Sequence, residues 1–153
     1  MNKASCICPT FGRFPDKGWL LEECVESFLL QDCVNKELII LNDCPAQRII
    51  CNAPGVKVYN LPQRYPSLGQ KYNAAIALST GDVILPWEDD DLSLPWRISQ
   101  GVEMLSGLDY WKPPQVIYLP TGGTLTFKHN VGVRHHAGIY TREAWQNAGG
   151  YPS

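Results

Sequence analysis

The chain has 153 residues, 44% of them hydrophobic and 18% charged, with a formal net charge of −2. That length and apolar share suit one domain with a core of its own, and the near-balanced charge excludes the basic face of a nucleic-acid binder. No apolar run approaches the roughly 18 residues needed to span a bilayer, and Met1 to Ser5 leads straight into a strand-like run, so no signal peptide is expected. The expected setting is cytoplasmic, the inner face of a membrane included, with no transmembrane segment and no nucleic-acid partner.

In chain order, Ser5 to Pro9 predicts a first strand, followed by a Gly/Pro-bearing loop from Thr10 to Gly18. Trp19 to Gln31 has helical spacing, with Leu20, Leu21, Cys24, Val25, Phe28 and Leu29 along one stripe. Glu37 to Leu41 is a continuous apolar strand of the kind covered on both faces, and it ends at Asn42-Asp43-Cys44-Pro45. Val56 to Leu61 predicts a third strand. The turn-rich stretch Pro62 to Gly69 gives way to a helix from Gln70 to Ser79, closed by Thr80-Gly81-Asp82 with Gly81 placed for a left-handed cap.

Val83 to Trp87 predicts a fourth strand, and Leu94 to Leu105 another helix with Pro95 near its first turn. After Gly107 the pattern changes to short strands, Val116 to Leu119, Leu125 to Phe127 and Gly138 to Tyr140, split by Gly and Asn turns. Gly122-Gly123 and Lys128-His129-Asn130 are such turns. Arg142 to Ala148 is a short helix, and Gly149-Gly150-Tyr151-Pro152-Ser153 closes the chain. Alternating β and α units over residues 1–105 argue for a mostly parallel sheet flanked by helices.

The chemistry concentrates where the fourth strand empties into four consecutive acids, Glu88-Asp89-Asp90-Asp91. Adjacent carboxylates repel, more so in a partly dry site, so the cluster wants a cation. All-oxygen ligands suit Mg²⁺ or Mn²⁺, which share their shell with substrate phosphates. A solvated acidic loop is the plainer alternative. The loops Pro9 to Arg13, Asn42 to Pro45 and Glu88 to Asp91 all follow strand ends and would meet in one crevice. There Asp43 would accept a hydrogen bond from a base or ribose, or else bond its own turn before Pro45. Lys71, on the helix beside them, would meet a phosphate or face solvent.

Other residues read more plainly. All six cysteines, Cys6, Cys8, Cys24, Cys33, Cys44 and Cys51, fall in the first third without a CxxC pair; they read as small buried hydrophobes rather than a zinc site. Trp87 reads as core rather than a sugar platform. His135 and His136 are candidate bases near neutral pH, against one packing under the sheet and the other facing solvent. Nucleotidyltransferases activate with a glycine-rich loop, whereas Thr10 to Phe14 holds only Gly12. The central-glycine spacing of an EF-hand is absent as well.

Several segments in order resemble the nucleotide-binding part of family 2 glycosyltransferases, which have the GT-A fold. Pro9-Thr10-Phe11-Gly12-Arg13 is similar to the family's Pro-Thr-Tyr-Asn-Arg, and Ser27 to Gln31 to its Ser-x-x-x-Gln. Asn42-Asp43-Cys44-Pro45 stands for Asp-Asp-Gly-Ser. Gly69, Lys71 and Asn73, followed by Leu78-Ser79-Thr80-Gly81-Asp82, match the next segment. Glu88-Asp89-Asp90 falls on Asp-x-Asp, and Gly149-Gly150-Tyr151 on Gly-Gly-Phe/Tyr.

The resemblance implies a GT-A, Rossmann-like fold for 1–153 as a single domain. Residues 1–105 would bind the nucleotide sugar and 106–153 would begin a truncated acceptor side. It implies a metal-assisted, inverting transferase that moves a sugar from a nucleoside-diphosphate sugar, a UDP-sugar first, to an acceptor hydroxyl. Asp43 would bind the base and Asp89 the ribose. Asp90 would ligate Mn²⁺ or Mg²⁺, with Glu88 and Asp91 as further ligands. Pro9, Thr10, Arg13, Lys71 and Asn73 would complete the nucleotide pocket. The family's acidic general base lies beyond Gly-Gly-Tyr, outside this sequence. The competing expectation is therefore a nucleotide-sugar-binding remnant that transfers nothing. A third is a homo-oligomer in which a partner chain supplies the base.

Overall fold

The computed structural model describes residues 3–118, 123–129 and 135–152. Five strands and three helices come first: β1 (Ala4–Thr10), α1 (Gly18–Leu29), β2 (Lys36–Asn42), β3 (Val56–Asn60), α2 (Leu68–Ala77), β4 (Val83–Pro86), α3 (Arg97–Met104) and β5 (Tyr110–Trp111). A hairpin of β6 (Gln115–Tyr118) and β7 (Thr126–His129) follows, then a 3-10 turn (His135–Ala137), β8 (Ile139–Thr141) and α4 (Arg142–Asn147).

Six strands form one sheet in the order β3-β2-β1-β4-β8-β5. The first four are mutually parallel, with Ile7 opposite Ile39 on one side and Pro86 on the other, while β8 runs antiparallel to β4 and β5. The chain starts at β1, winds outward to β3, then crosses back to β4. The sheet therefore reverses direction beside β1, and a crevice opens at the carboxyl ends of β1 and β4.

Period-2 alternation sorts the core onto two faces. Cys6, Cys8, Leu38, Ile40, Val83 and Leu85 pack with Leu21, Cys24 and Phe28 of α1 and Ile98 of α3. Ile7, Ile39, Leu41 and Ile84 pack under Tyr72, Ala75 and Ile76 of α2. As expected, β2 is covered on both faces, and Trp87 is fully buried edge-on to Phe28. The thiols of Cys6, Cys8, Cys24 and Cys33 are buried in this packing. Burial, rather than any cation, pushes Cys6 well above the usual thiol range.

Several expectations need correction. Gly81 is not a left-handed cap: its φ is not positive, and the αR residue Leu78 caps α2. Glycine is required there for closeness, because a Cβ would lie 2.6 Å from the Lys3 carbonyl oxygen and 2.5 Å from Ser5 Oγ. Leu29 is 42% exposed, since the buried stripe of α1 runs through Gly18, Leu21, Cys24, Ser27 and Phe28. Helix α3 begins at Arg97, with the carbonyl of Pro95 ahead of it accepting from Asp32 N. Lys128-His129 lies in β7 rather than in a turn, and the two-residue strand β5 has no expected counterpart. Leu119, Gly122, Asn130 and the His135 side chain fall outside the described residues.

Candidate functional site

Three strand ends deliver the site. Thr10 closes β1, Asp43 follows β2, and Glu88 to Asp91 follow β4, two residues past Pro86. Together with the loop before α2 they line a cavity of about 530 Å³ bounded by Pro9, Thr10, Phe11, Arg13, Asp43, Arg64, Tyr65, Lys71, Glu88 and Asp89. That size lies within the range of small-molecule sites.

At its floor, buried Lys71 bonds the Asp43 carboxylate and the Thr10 carbonyl, the latter at 2.6 Å. Asp43 also accepts from Tyr65 N at 2.9 Å. Asp43 therefore does not bond its own turn; Asn42 does that, accepting from Cys44 N. Lys71 is turned inward rather than to solvent, because a carboxylate and a strand-end carbonyl wait for it there. Thr10 is 2% exposed, and its hydroxyl has no hydrogen-bond partner. A buried hydroxyl of that kind is expensive to leave unpaired, as are the two amide atoms of Gln47, which does not line the cavity.

The acidic loop is held in three different ways. Arg13 makes a two-pronged bond to Asp89, Nε to Oδ2 at 2.7 Å and Nη2 to Oδ1 at 2.6 Å, and reaches Asp90 Oδ2 at 2.9 Å. The bond to Asp89 raises the Arg13 pKa above its ordinary value, keeping it charged. Glu88 accepts from the Tyr72 hydroxyl at 2.6 Å, while its burial and the three acids beside it push its pKa up. Asp91 is raised by partial burial and by Asp90 and Asp89, against the pull of His136 and Arg97. Asp90 and Asp91 lie at the rim rather than on the cavity wall.

Supports behind the loop carry no charge to the cavity but fix its shape. Gln31 donates to the Ser27 and Leu94 carbonyls and accepts from Ile98 N, so it caps α3 and anchors the end of the acidic loop at once. Arg97 lies over Trp87 and donates to Ser93 Oγ, the Pro86 carbonyl and the His136 carbonyl. His136 is half-buried and brought to the acidic loop by that bond.

Asn73, expected in the nucleotide pocket, is not among the residues that line the cavity. Its Oδ1 accepts from Tyr151 N at 2.8 Å and Trp145 Nε1 at 3.1 Å, and its Nδ2 donates to the Tyr151 carbonyl at 3.0 Å. The sequence reading also missed residues the site contains. Phe11 is 41% exposed at the mouth with Arg64 stacked 4.2 Å from its ring centre. Tyr72 lies unremarked within the helix expected from Gln70 to Ser79. The signal for Tyr72 was available, since it follows Lys71 on α2; for Arg64, inside an irregular loop, there was none.

Whether a hard divalent cation fits can be judged from the donor set. Among the described residues no group of three or more His, Cys, Asp or Glu side chains converges on one point. Glu88 and Asp89 are committed to Tyr72 and Arg13, whereas the Asp90 side chain is 50% exposed. A half-exposed carboxylate that shares only one arm of Arg13, beside a cavity with room for phosphates, is the kind of donor Mg²⁺ and Mn²⁺ use when the substrate completes their shell. The donor set fits such an ion only together with a phosphate ligand.

The family model for glycosyl transferase family 2 matches residues 5–138. The chain belongs to this family. No curated protein sequence matches it. Among solved structures, a Pyrobaculum calidifontis mannosyltransferase in complex with GDP-Man and Mn²⁺ is similar, with TM-score 0.67 and 15% identity over 99% of this chain and 48% of that one. S. aureus TarS 1–349 in complex with UDP-GlcNAc is also similar, at TM-score 0.68 and 16% identity over 97% of this chain and 48% of that one. At such identities the likeness shows the fold, GT-A, as expected. The family 2 chain spans about half the length of these two proteins.

Proposed function

We propose that this chain is the donor-binding part of a sugar transferase. Residues 1–105 bind a nucleoside-diphosphate sugar, a UDP-sugar first, and residues 106–153 begin the acceptor side. The observation that carries this reading is the unpaired, buried Thr10 hydroxyl set beside the Asp43–Lys71 pair and the Arg13-held acids in one cavity. A base N–H would find an acceptor at Asp43, whose oxygens keep lone pairs beyond those used by Lys71 and Tyr65. Phe11 offers it a face. Asp89 would meet the ribose, and Pro9 and Thr10 the wall of the nucleoside. Arg13 and Lys71 supply positive charge toward the diphosphate.

Asp90 would hold Mn²⁺ or Mg²⁺ with the diphosphate, and Glu88 and Asp91 stand beside it. A bound ion of this type stabilises negative charge as it develops on a departing diphosphate. The complexes of the two similar proteins, one with GDP-Man and Mn²⁺ and one with UDP-GlcNAc, support this class of ligand. The sugar would pass to an acceptor hydroxyl with inversion. His136, and His135 next to it, are the candidates for the acceptor's proton within this chain.

The test is calorimetric titration of UDP, GDP and CDP, with and without Mn²⁺, into the protein and its Asp90→Asn variant. Metal-dependent binding of one nucleotide that vanishes in the variant is the expected result. Absence of binding under every condition would overturn the reading. A transfer assay over mixed acceptors then separates an enzyme from a domain that binds donor and transfers nothing.

A further inference from the structure

Arg13 treats its two carboxylates unequally. The Asp89 side chain is 6% exposed and takes both prongs of the guanidinium, while the Asp90 side chain is 50% exposed and takes one. A buried two-pronged pair is held firmly, whereas a single solvent-shared contact gives way cheaply. Asp90 is also the acid whose carboxylate the proposed function assigns to the metal.

We infer that Arg13 is the resident counter-cation of Asp90, so that a divalent ion enters the site together with a nucleoside diphosphate and not ahead of it. This rests on the reading of Asp90 given above. An ion arriving alone would set two charges against a guanidinium on the same carboxylate, and Arg13 cannot leave without uncovering buried Asp89. A diphosphate reverses the balance. Its oxygens accept from the guanidinium arm released by Asp90 and bring the negative charge that the ion and Arg13 can share. Arg13 is thus a positioning residue that couples two ligands, and by linkage each tightens the other by the same factor. A residue that merely braced the loop through its fork would be missed as much in Arg13→Lys as in Arg13→Gln.

The experiment measures Mn²⁺ alone, from the resonance signal of the free ion, on the intact chain and on Arg13→Gln, Arg13→Lys and the double variant Arg13→Gln/Asp89→Asn. The double variant leaves no buried carboxylate unpaired and serves if Arg13→Gln does not fold. Removing the guanidinium charge should tighten Mn²⁺ binding about tenfold or more at low salt, with a smaller gain at 1 M salt. Adding Asp90→Asn should abolish the gain, and Arg13→Lys should stay within about threefold of the unaltered chain because the charge remains. The inference is overturned if the double variant binds Mn²⁺ no more tightly than the unaltered chain, or if Arg13→Lys gains as much as Arg13→Gln. UDP titrated into the unaltered chain is a separate arm. No UDP binding there refutes the donor-site reading, while the metal-alone comparison still decides the role of Arg13.

Discussion

Asn73→Ala separates two roles for one residue. The amide makes three bonds to the segment after β8, to Tyr151 N, the Tyr151 carbonyl and Trp145 Nε1. Each is worth about 0.5–1.5 kcal/mol net, and donors or acceptors left unpaired raise the cost, so the loss should be about 2–4 kcal/mol. Neighbouring contacts limit the damage. Tyr151 still packs against Tyr72 at 5.2 Å and its hydroxyl still meets that of Tyr140 at 2.8 Å. Urea unfolding followed by tryptophan fluorescence reads both the midpoint and the release of Trp145. UDP affinity, measured well below the unfolding midpoint, should change less than about threefold, a shift under 1 kcal/mol. A tenfold loss of UDP affinity with unchanged stability would refute the reasoning and return Asn73 to the nucleotide pocket.

Three further predictions follow from the same geometry. Buried Glu37 accepts from Ser5, Thr80, Lys57 and Lys3, and although burial alone would raise its pKa, these partners hold it well below its ordinary value. Its stabilisation is therefore present above the unfolded carboxylate value of about 4.3 and is lost as pH falls below it toward the folded value; Glu37→Gln should flatten the acid limb of a stability–pH curve. Lys71→Met leaves Asp43 charged and buried, costing about 3–5 kcal/mol in denaturant unfolding, and the pair variant Lys71→Met/Asp43→Asn should recover much of it without recovering UDP binding. Tyr72→Phe removes a donor from a partly buried carboxylate, so it should destabilise by about 1–3 kcal/mol and leave Glu88 easier to protonate, as read by NMR titration of that carboxyl.

The alternation of β and α units was legible because strands such as β2 carry an apolar run and α1 an apolar stripe; Ile39 and Cys24 sit where those patterns put them. Convergence of Thr10, Asp43 and the acids was legible too, since strand ends in such a sheet share one edge. Hydrogen-bond destinations were not. Whether Lys71 faces solvent or Asp43 depends on a loop path from Pro62 to Gly69 that no periodicity encodes. Motif membership alone could not tell a pocket residue from a fastening at Asn73, whose amide bonds the Tyr151 backbone and Trp145. Gly81 misled: its position after a helix suggested a cap, while its requirement comes from the Ser5 and Lys3 backbone pressing against it.

The Gly-Gly-Tyr segment gains a physical meaning from this. Gly149 and Gly150 both have positive φ, and a Cβ on Gly150 would stand 2.7 Å from Asn73 Oδ1. A Cβ on Gly69 would stand 2.0 Å from the Pro152 carbonyl oxygen. These glycines let the chain after α4 lie flat on the first turn of α2, where Asn73 fastens it. Helix α2 carries Lys71 to the cavity, Tyr72 to Glu88 and Asn73 to this segment. Tyr72 lies between, its hydroxyl on Glu88 and its ring against Tyr151. A shift of the segment would thus reach the acidic loop through one packed side chain and one hydrogen bond. Gly69→Ala is the sharpest probe of that contact, because it pushes on Pro152 without touching a polar group of the cavity. If the tether orients α2, this variant weakens UDP binding along with stability; if the two parts are independent, stability falls and UDP affinity stays.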